Sequence, residues 1–256
     1  MHWRLLVTPP RSAAANMATD AAMLAYARAT GESVARVYAW QTPTVSFGVH
    51  QSVRGVYDPH LIAADGYDVV RRPTGGRALL HHREITYAMA APAGADVPRR
   101  ATYRAMSALV ADALHRLGVP VTPAPRGTRA TAPGAAPCFD TPAEGELTVA
   151  DRKLVGSAQV QRDGAVLQHG SILIDDDQPR LTRYLLVPAR AVPPAATLRS
   201  LMRTPPTVPA FADALAAALA AATGVAPTPI SLPALGTDVF KRELSHYADP
   251  AWTWSR

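Results

Sequence analysis

The chain has 256 residues, 48% hydrophobic and 18% charged, with a formal net charge of +6 at pH 7. That length can bury a sizeable core, and a single cysteine, Cys138, excludes an internal disulfide framework. The N-terminal "MHWRLLVTPPR" lacks the apolar stretch of a signal peptide and no run is long enough to span a membrane, so a cytoplasmic protein without membrane contact is expected. The positive balance favours acidic partners. Nucleic acid is not expected among them, because no dense basic run is interleaved with aromatics, which make up 6% of the chain.

In chain order, residues 12–32 read as a helix, with Ser12 as N-cap, Met17, Ala21, Leu24 and Ala25 on one face, and Gly31 as the stop. Segments 34–40 and 44–50 alternate like strands around Gln-Thr-Pro. Residues 67–72 form a strand ending at Pro73, and 84–90 form another, with Glu84 and Thr86 on one face as ordinary sheet packing. From Arg99 to Leu117 the apolar residues Met106, Leu109, Val110, Ala113, Leu114 and Leu117 fall at helical spacing, and Gly118 follows. Residues 119–137 carry too much Pro and Gly for regular structure and read as a long mobile loop.

Strands at 145–150, 153–161 and 165–174 are joined by Asp-Arg and Arg-Asp-Gly, short enough for hairpins, which predicts an antiparallel meander. Helices at 208–223, stopped by Gly224, and at about 236–247 follow. Helices and antiparallel strands are interspersed without a βαβ rhythm, so the class is α+β. No internal repeat is present.

Of the 26 basic residues only Lys153 and Lys241 are lysines. Arginine serves wherever charge alone is needed, whereas only lysine can release a proton. Lys241 falls in an amphipathic helix and reads as a solvated charge. Lys153 follows Cys138 by fifteen residues, and a nearby ammonium lowers a thiol's pKa and activates it as a nucleophile. The alternative is an inert buried cysteine, but Cys138 sits among Pro, Ala and Asp rather than in an apolar strand.

In "RRPTGGRALLHH", Arg72, Thr74, Gly75, Gly76 and Arg77 form either an anion-facing turn or a tight hairpin with charged flanks. The spacing is neither a Walker loop nor a dinucleotide fingerprint. Gly156, beside Ser157, and Gly170, beside His169, interrupt two neighbouring strands, which suggests a groove for a thin apolar ligand. His169 reads as a satisfied structural residue or as an acid/base lining that groove. His50, His81 and His82 show no metal-site spacing.

The segments "VVRRPTGGRALLHHREITYAMA", "APCFDTPAEGELTVADRKLVGSAQ" and "GAVLQHGSILI", with Trp40–Gln51 before them, occur in the order found in the lipoate–protein ligase, octanoyltransferase and biotin–protein ligase superfamily. The chain is most similar there to the LipM-like octanoyl-[acyl-carrier-protein]:protein N-octanoyltransferases. The resemblance covers about residues 3–185. It implies a class II synthetase-like catalytic domain, a mixed, largely antiparallel sheet flanked by helices. A helical C-terminal segment at about 206–250 would follow, with no separate accessory domain.

The resemblance further implies transfer of an octanoyl group from acyl-carrier protein, through a thioester on Cys138, to the lysine of a lipoyl domain, in lipoate biosynthesis. The acceptors it implies are the glycine cleavage H protein or the E2 subunit of a 2-oxoacid dehydrogenase. Lys153 would be the acid/base. Gly75, Gly76 and Gly156 would offer oxyanion donors, Arg72 and Arg77 would hold the donor's phosphopantetheine arm or line the pocket mouth, and His81 and His169 would line the pocket. A monomer with no metal or cofactor is expected. An ATP- and Mg-dependent lipoate ligase, an octanoyl amidotransferase and a non-catalytic binder remain alternatives. "TPAEGEL" departs from the Ser and aromatic residue usual after the Cys138 motif.

Overall fold

The computed structural model describes residues 2–94, 97–125, 143–187 and 193–256. Trp3–Val7 forms β1, Ala13–Thr30 α1, Ser33–Tyr38 β2, Thr44–Phe47 β3, Pro59–Ala64 α2, Asp68–Arg71 β4, Leu79–His81 β5, Glu84–Pro92 β6 and Arg99–Arg116 α3. Then come β7 (Thr122–Pro123), β8 (Leu147–Val149), β9 (Arg152–Arg162) and β10 (Ala165–Leu173). The C-terminal part adds α4 (Leu198–Leu201), α5 (Val208–Thr223), β11 (Thr228–Pro229), α6 (Thr237–Ala248) and α7 (Pro250–Thr253).

One sheet runs β11-β1-β2-β6-β10-β9-β8-β7, and a smaller one runs β4-β3-β5. In the large sheet β1 is parallel to β11 and β2, and the pairings from β2 onward are antiparallel. The class is α+β with a mixed sheet, as the sequence indicates.

Helices cover both faces of the large sheet. On one, Val110 and Leu114 of α3 and Phe211 and Leu215 of α5 pack on Ala35, Val37, Tyr87 and Met89. On the other, Met17, Ala22 and Met23 of α1, with Tyr247 of α6, pack on Val34, Tyr38, Ala88 and Ala90. Double coverage is why β2 is buried along its whole length rather than on alternate residues. It also corrects the expected apolar face of α1. Met17 is buried, but Ala21, Leu24 and Ala25 are half-buried, while Asn16, Thr19 and Asp20 are fully buried.

The meander β8-β9-β10 stands as expected. Its hairpins turn on Ala150-Asp151 (φ 47° and 59°) and Asp163-Gly164 (φ 51° and 79°), two residues at positive φ in each, as a type I′ turn requires. The first turn falls one residue before the expected Asp-Arg. The segment 119–137 is not wholly irregular, since Thr122–Pro123 pairs with β8. From residue 126 it lies outside the described residues. The C-terminal segment is not purely helical either: Thr228–Pro229 extends the large sheet beyond β1. Strands β1 and β5 and helix α2 escaped the sequence reading because five, three and six residues carry too little periodicity.

The small sheet is anchored by the C-terminal turn. Arg71 Nε donates to the carbonyls of Trp252 and Thr253, and Trp252 Nε1 donates to Arg71 O. The loop after β3 meets the loop after β4 backbone to backbone. A Cβ on Gly48 would lie 2.1 Å from Gly76 O, so no side chain fits there. Gly48→Ala is expected to cost about 1–3 kcal/mol through this overpacking, measured by urea unfolding. Unchanged stability would mean that the two loops do not touch.

Candidate active site

A cleft of ≈ 980 Å³ opens where β5, β9 and β10, the 74–77 loop and the first turns of α3 converge. Arg72, Gly75, Gly76, Arg77, His81, Lys153, Gly156, Ser157, His169 and Gly170 all line it. Residues from three separate motifs thus share one wall. Cys138 lies outside the described residues.

Arg72 proves to be a clamp. Its Nη1 donates to Ser46 O and Oγ, at 2.9 and 3.0 Å, and its Nη2 to the carbonyls of Gly75 and Arg77, at 2.9 and 2.8 Å. A guanidinium spent on four protein oxygens holds the loop while lining the cleft, the second of its two expected places rather than the first. The clamp also explains Gly76, whose φ is 96° and whose added Cβ would lie 2.8 Å from Arg72 Nη2.

Thr74 is fully buried beneath this loop. Its Oγ1 lies 2.6 Å from His169 Nε2, and His169 Nδ1 lies 3.0 Å from Asp20 Oδ2. Asp20 also takes Arg36 Nη1 at 2.9 Å and the Tyr38 hydroxyl at 3.1 Å. Burial pushes His169 below its ordinary pKa, with the Asp20 hydrogen bond opposing. The imidazole is therefore neutral near pH 7. Its Nδ1–H donates to Asp20, and its Nε2 accepts the Thr74 hydroxyl proton. Burial, then the charge of Asp20, raises Tyr38 well above the usual phenol range and keeps it a donor.

His81 is equally engaged. Its Nδ1 lies 2.7 Å from Glu84 Oε1 and its Nε2 2.8 Å from Ser46 Oγ, while its ring stacks on Trp40 at 4.0 Å. Thr86 and Ser171 also donate to Glu84 Oε1, and Trp40 Nε1 donates to Thr86. Glu84 and Thr86 therefore belong to a buried polar network bordering the cleft, not to ordinary sheet packing. With both ring nitrogens of both histidines taken by protein partners, His81 and His169 shape the wall rather than exchange protons with a ligand.

Gly170 must lack a side chain for the protein's own sake. A Cβ there would lie 2.6 Å from Gly156 O and 2.7 Å from Tyr87 Cε1. The close approach at this strand is internal, and the space for a ligand lies beside it. Ser157 Oγ sits 2.6 Å from the Tyr87 hydroxyl.

Lys153 is buried in the wall, 2 % exposed, with its Nζ 2.7 Å from Glu146 Oε1. The other oxygen of Glu146 accepts from Ala143 N at 2.7 Å. One carboxylate thus joins Lys153 to the chain five residues after Cys138. Lys241 is exposed on α6, as expected.

Sequence reasoning missed Asp20, Arg36, Tyr38 and Glu146. The available signal was Asp20 itself, an acid three residues after Met17 on the apolar side of a predicted helix. Among the described residues no cluster of His, Cys, Asp or Glu could hold a metal, and no helix is long and apolar enough to cross a membrane.

Residues 12–220 match the model of the lipoyl protein ligase A/B catalytic domain. The chain belongs to that family. It is 37% identical to octanoyltransferase LipM of Kyrpidia tusciae, over 99% of each chain. It is 40% identical to octanoyltransferase LipM of Symbiobacterium thermophilum, over 82% of this chain and 78% of the relative. The bipartite lipoate protein ligase of Thermoplasma acidophilum has the same fold, with a TM-score of 0.76 at 19% identity over 99% of this chain and 96% of that one. Within this family fold, the Asp20–His169–Thr74 chain supports the Gly75-Gly76 loop from below.

Thr74→Val keeps the shape but leaves His169 Nε2 unsatisfied, so it should cost about 1–3 kcal/mol, with Thr74→Ser restoring most of it in urea unfolding. His169 also makes a pH prediction. Its folded pKa lies below the unfolded value of about 6.5, so the unfolded chain binds this proton first. Its contribution is therefore full above that pH and is lost as the pH falls toward the folded value. The stability gap between wild type and His169→Gln should narrow from pH 7.5 to pH 5, and a constant gap would refute a depressed His169.

Proposed function

We propose that this chain is an octanoyltransferase of lipoate biosynthesis. It takes an octanoyl thioester from acyl-carrier protein onto Cys138 and passes the acyl group to the lysine of a lipoyl domain. One observation carries this reading. Glu146 holds the buried Lys153 with one oxygen and Ala143 with the other. Five residues separate Ala143 from Cys138, so covalent geometry alone keeps their Cα atoms within about 18 Å.

In the first step Cys138 Sγ attacks the thioester carbonyl as the thiolate held beside the Lys153 ammonium. The carrier thiolate leaves and takes up a proton from Lys153, which becomes the neutral amine that serves the second step. In the second step the acceptor amine attacks the octanoyl-thioenzyme and loses its proton through Lys153, and Cys138 leaves as thiolate. The product is an amide. The Gly75 carbonyl faces Arg72. In a planar trans peptide the Gly76 N–H then points the opposite way, which suits an oxyanion donor. Met17, Trp40 and Leu79 supply apolar lining for the octanoyl chain, worth about 0.8 kcal/mol per buried CH₂.

Mixed with octanoyl-acyl-carrier protein without ATP, the wild-type protein should gain one hydroxylamine-labile octanoyl group by intact mass, and Cys138→Ala should gain none. No gain in either, with product appearing only on addition of ATP and free acid, would make the chain a ligase instead. Lys153→Arg keeps the pairing charge for Glu146 but cannot release a proton, so turnover should fall by about 10²–10⁴-fold. Near-normal activity in that variant would remove Lys153 from the proton transfers.

A further inference from the structure

Of the arginines and lysines that line the cleft, Arg72, Arg77 and Lys153 are buried. Arg72 is spent on Ser46 and on backbone carbonyls of its own loop, and Lys153 on Glu146. Arg99, Arg100 and Arg104 are exposed and line the cleft from the first two turns of α3. Arg104 lies 3.6 Å from Glu144. Neither Arg99 nor Arg100 forms an ion pair with a described carboxylate.

These two arginines do nothing for their own helix. The N-cap is Pro98, which makes no side-chain cap bond, and the first turn holds no acidic residue. Positive side chains there oppose the helix dipole. They are exposed at the rim of a cleft to which Met17, Trp40 and Leu79 add apolar lining, and whose buried charges Lys153 and Glu146 pair with each other. A ligand that fits this gradient has an apolar end that enters and an anionic group that stays at the mouth.

Resting on the acyl-transfer reading, we infer that Arg99 and Arg100 receive the phosphate of the donor's pantetheine arm. A guanidinium pair matches phosphate oxygens with forked hydrogen bonds. Placed on the cleft rim rather than on an outer face, the pair reads the arm that enters, not the protein that carries it. This assigns to α3 the anion contact that Arg72, spent on the loop carbonyls, cannot make.

The test compares octanoyl-phosphopantetheine with octanoyl-pantetheine, which lacks the phosphate, in the wild type and in Arg99→Gln/Arg100→Gln. Both substitutions are on exposed helical positions, and circular dichroism checks the fold. In the wild type kcat/KM should favour the phosphorylated donor by about tenfold, and in the variant the ratio should fall toward one. Raised salt should shrink the wild-type ratio in the same way.

A wild-type ratio near one overturns the inference. So does a variant that keeps the wild-type ratio. A variant defect seen only with the intact carrier protein also overturns it, and assigns the arginines to an acidic protein face. If no donor is turned over, the acyl-transfer reading fails by itself. Calorimetric binding of phosphopantetheine against pantetheine then still decides the phosphate contact, and equal affinities reject it.

Discussion

The carboxylate of Asp20 ties the helix α1, the central strand β2 and the cleft strand β10 to one point. It accepts from Arg36 and Tyr38 on β2 and from His169 on β10, with Asp20, Arg36 and Tyr38 all fully buried. Taking two charges out of water costs several kcal/mol per ion, and only good geometry with further hydrogen bonds offsets it. Those bonds are present: Arg36 also donates to Thr8, to Asn16 Oδ1 and to Asn16 O, and its guanidinium lies 3.7 Å from the Tyr38 ring centre. Through His169 the same carboxylate reaches Thr74, and so a residue on a back helix orients the loop at the front of the cleft.

A second consequence is chemical. The polar groups of the cleft are mostly spoken for before any ligand enters. Arg72 closes on its own loop, His81 on Glu84 and Ser46, and His169 on Asp20 and Thr74. Such a wall is stiff, because moving any one group would leave a buried donor or acceptor unsatisfied. The groups left to act are few. Lys153 is tethered by Glu146 to the chain that carries Cys138. The Gly75-Gly76 backbone is presented by the Arg72 clamp, and the α3 arginines stand at the mouth. Rigid framework and the groups left to act come from different parts of the chain.

Much of this was legible before folding. The helix at 12–32 announces itself by Ser12 and Gly31, and the meander by Asp163-Gly164. The Cys138–Lys153 pair stands out because cysteine occurs once and lysine is rare in an arginine-rich chain. The converging motifs marked ten of the residues that line the cleft. What could not be read was which of those groups remain available. Arg72 looked like a ligand contact because its charge is visible in the sequence, while the four oxygens that consume it are not.

The sequence by itself determined the elements with local punctuation, the family and the scarcity that singles out Cys138 and Lys153. These depend on caps, turn residues and side-chain chemistry, which neighbours a few positions away decide. Only the tertiary structure decided that Asp20 rather than a cleft residue governs His169, that Glu146 joins Lys153 to the Cys138 side of the chain, and that Gly170 yields its space to Tyr87 and Gly156. The reason is physical. A lone pair is used or left over according to partners many residues distant, here up to 149 positions apart for Asp20 and His169, and chain order carries no trace of that meeting.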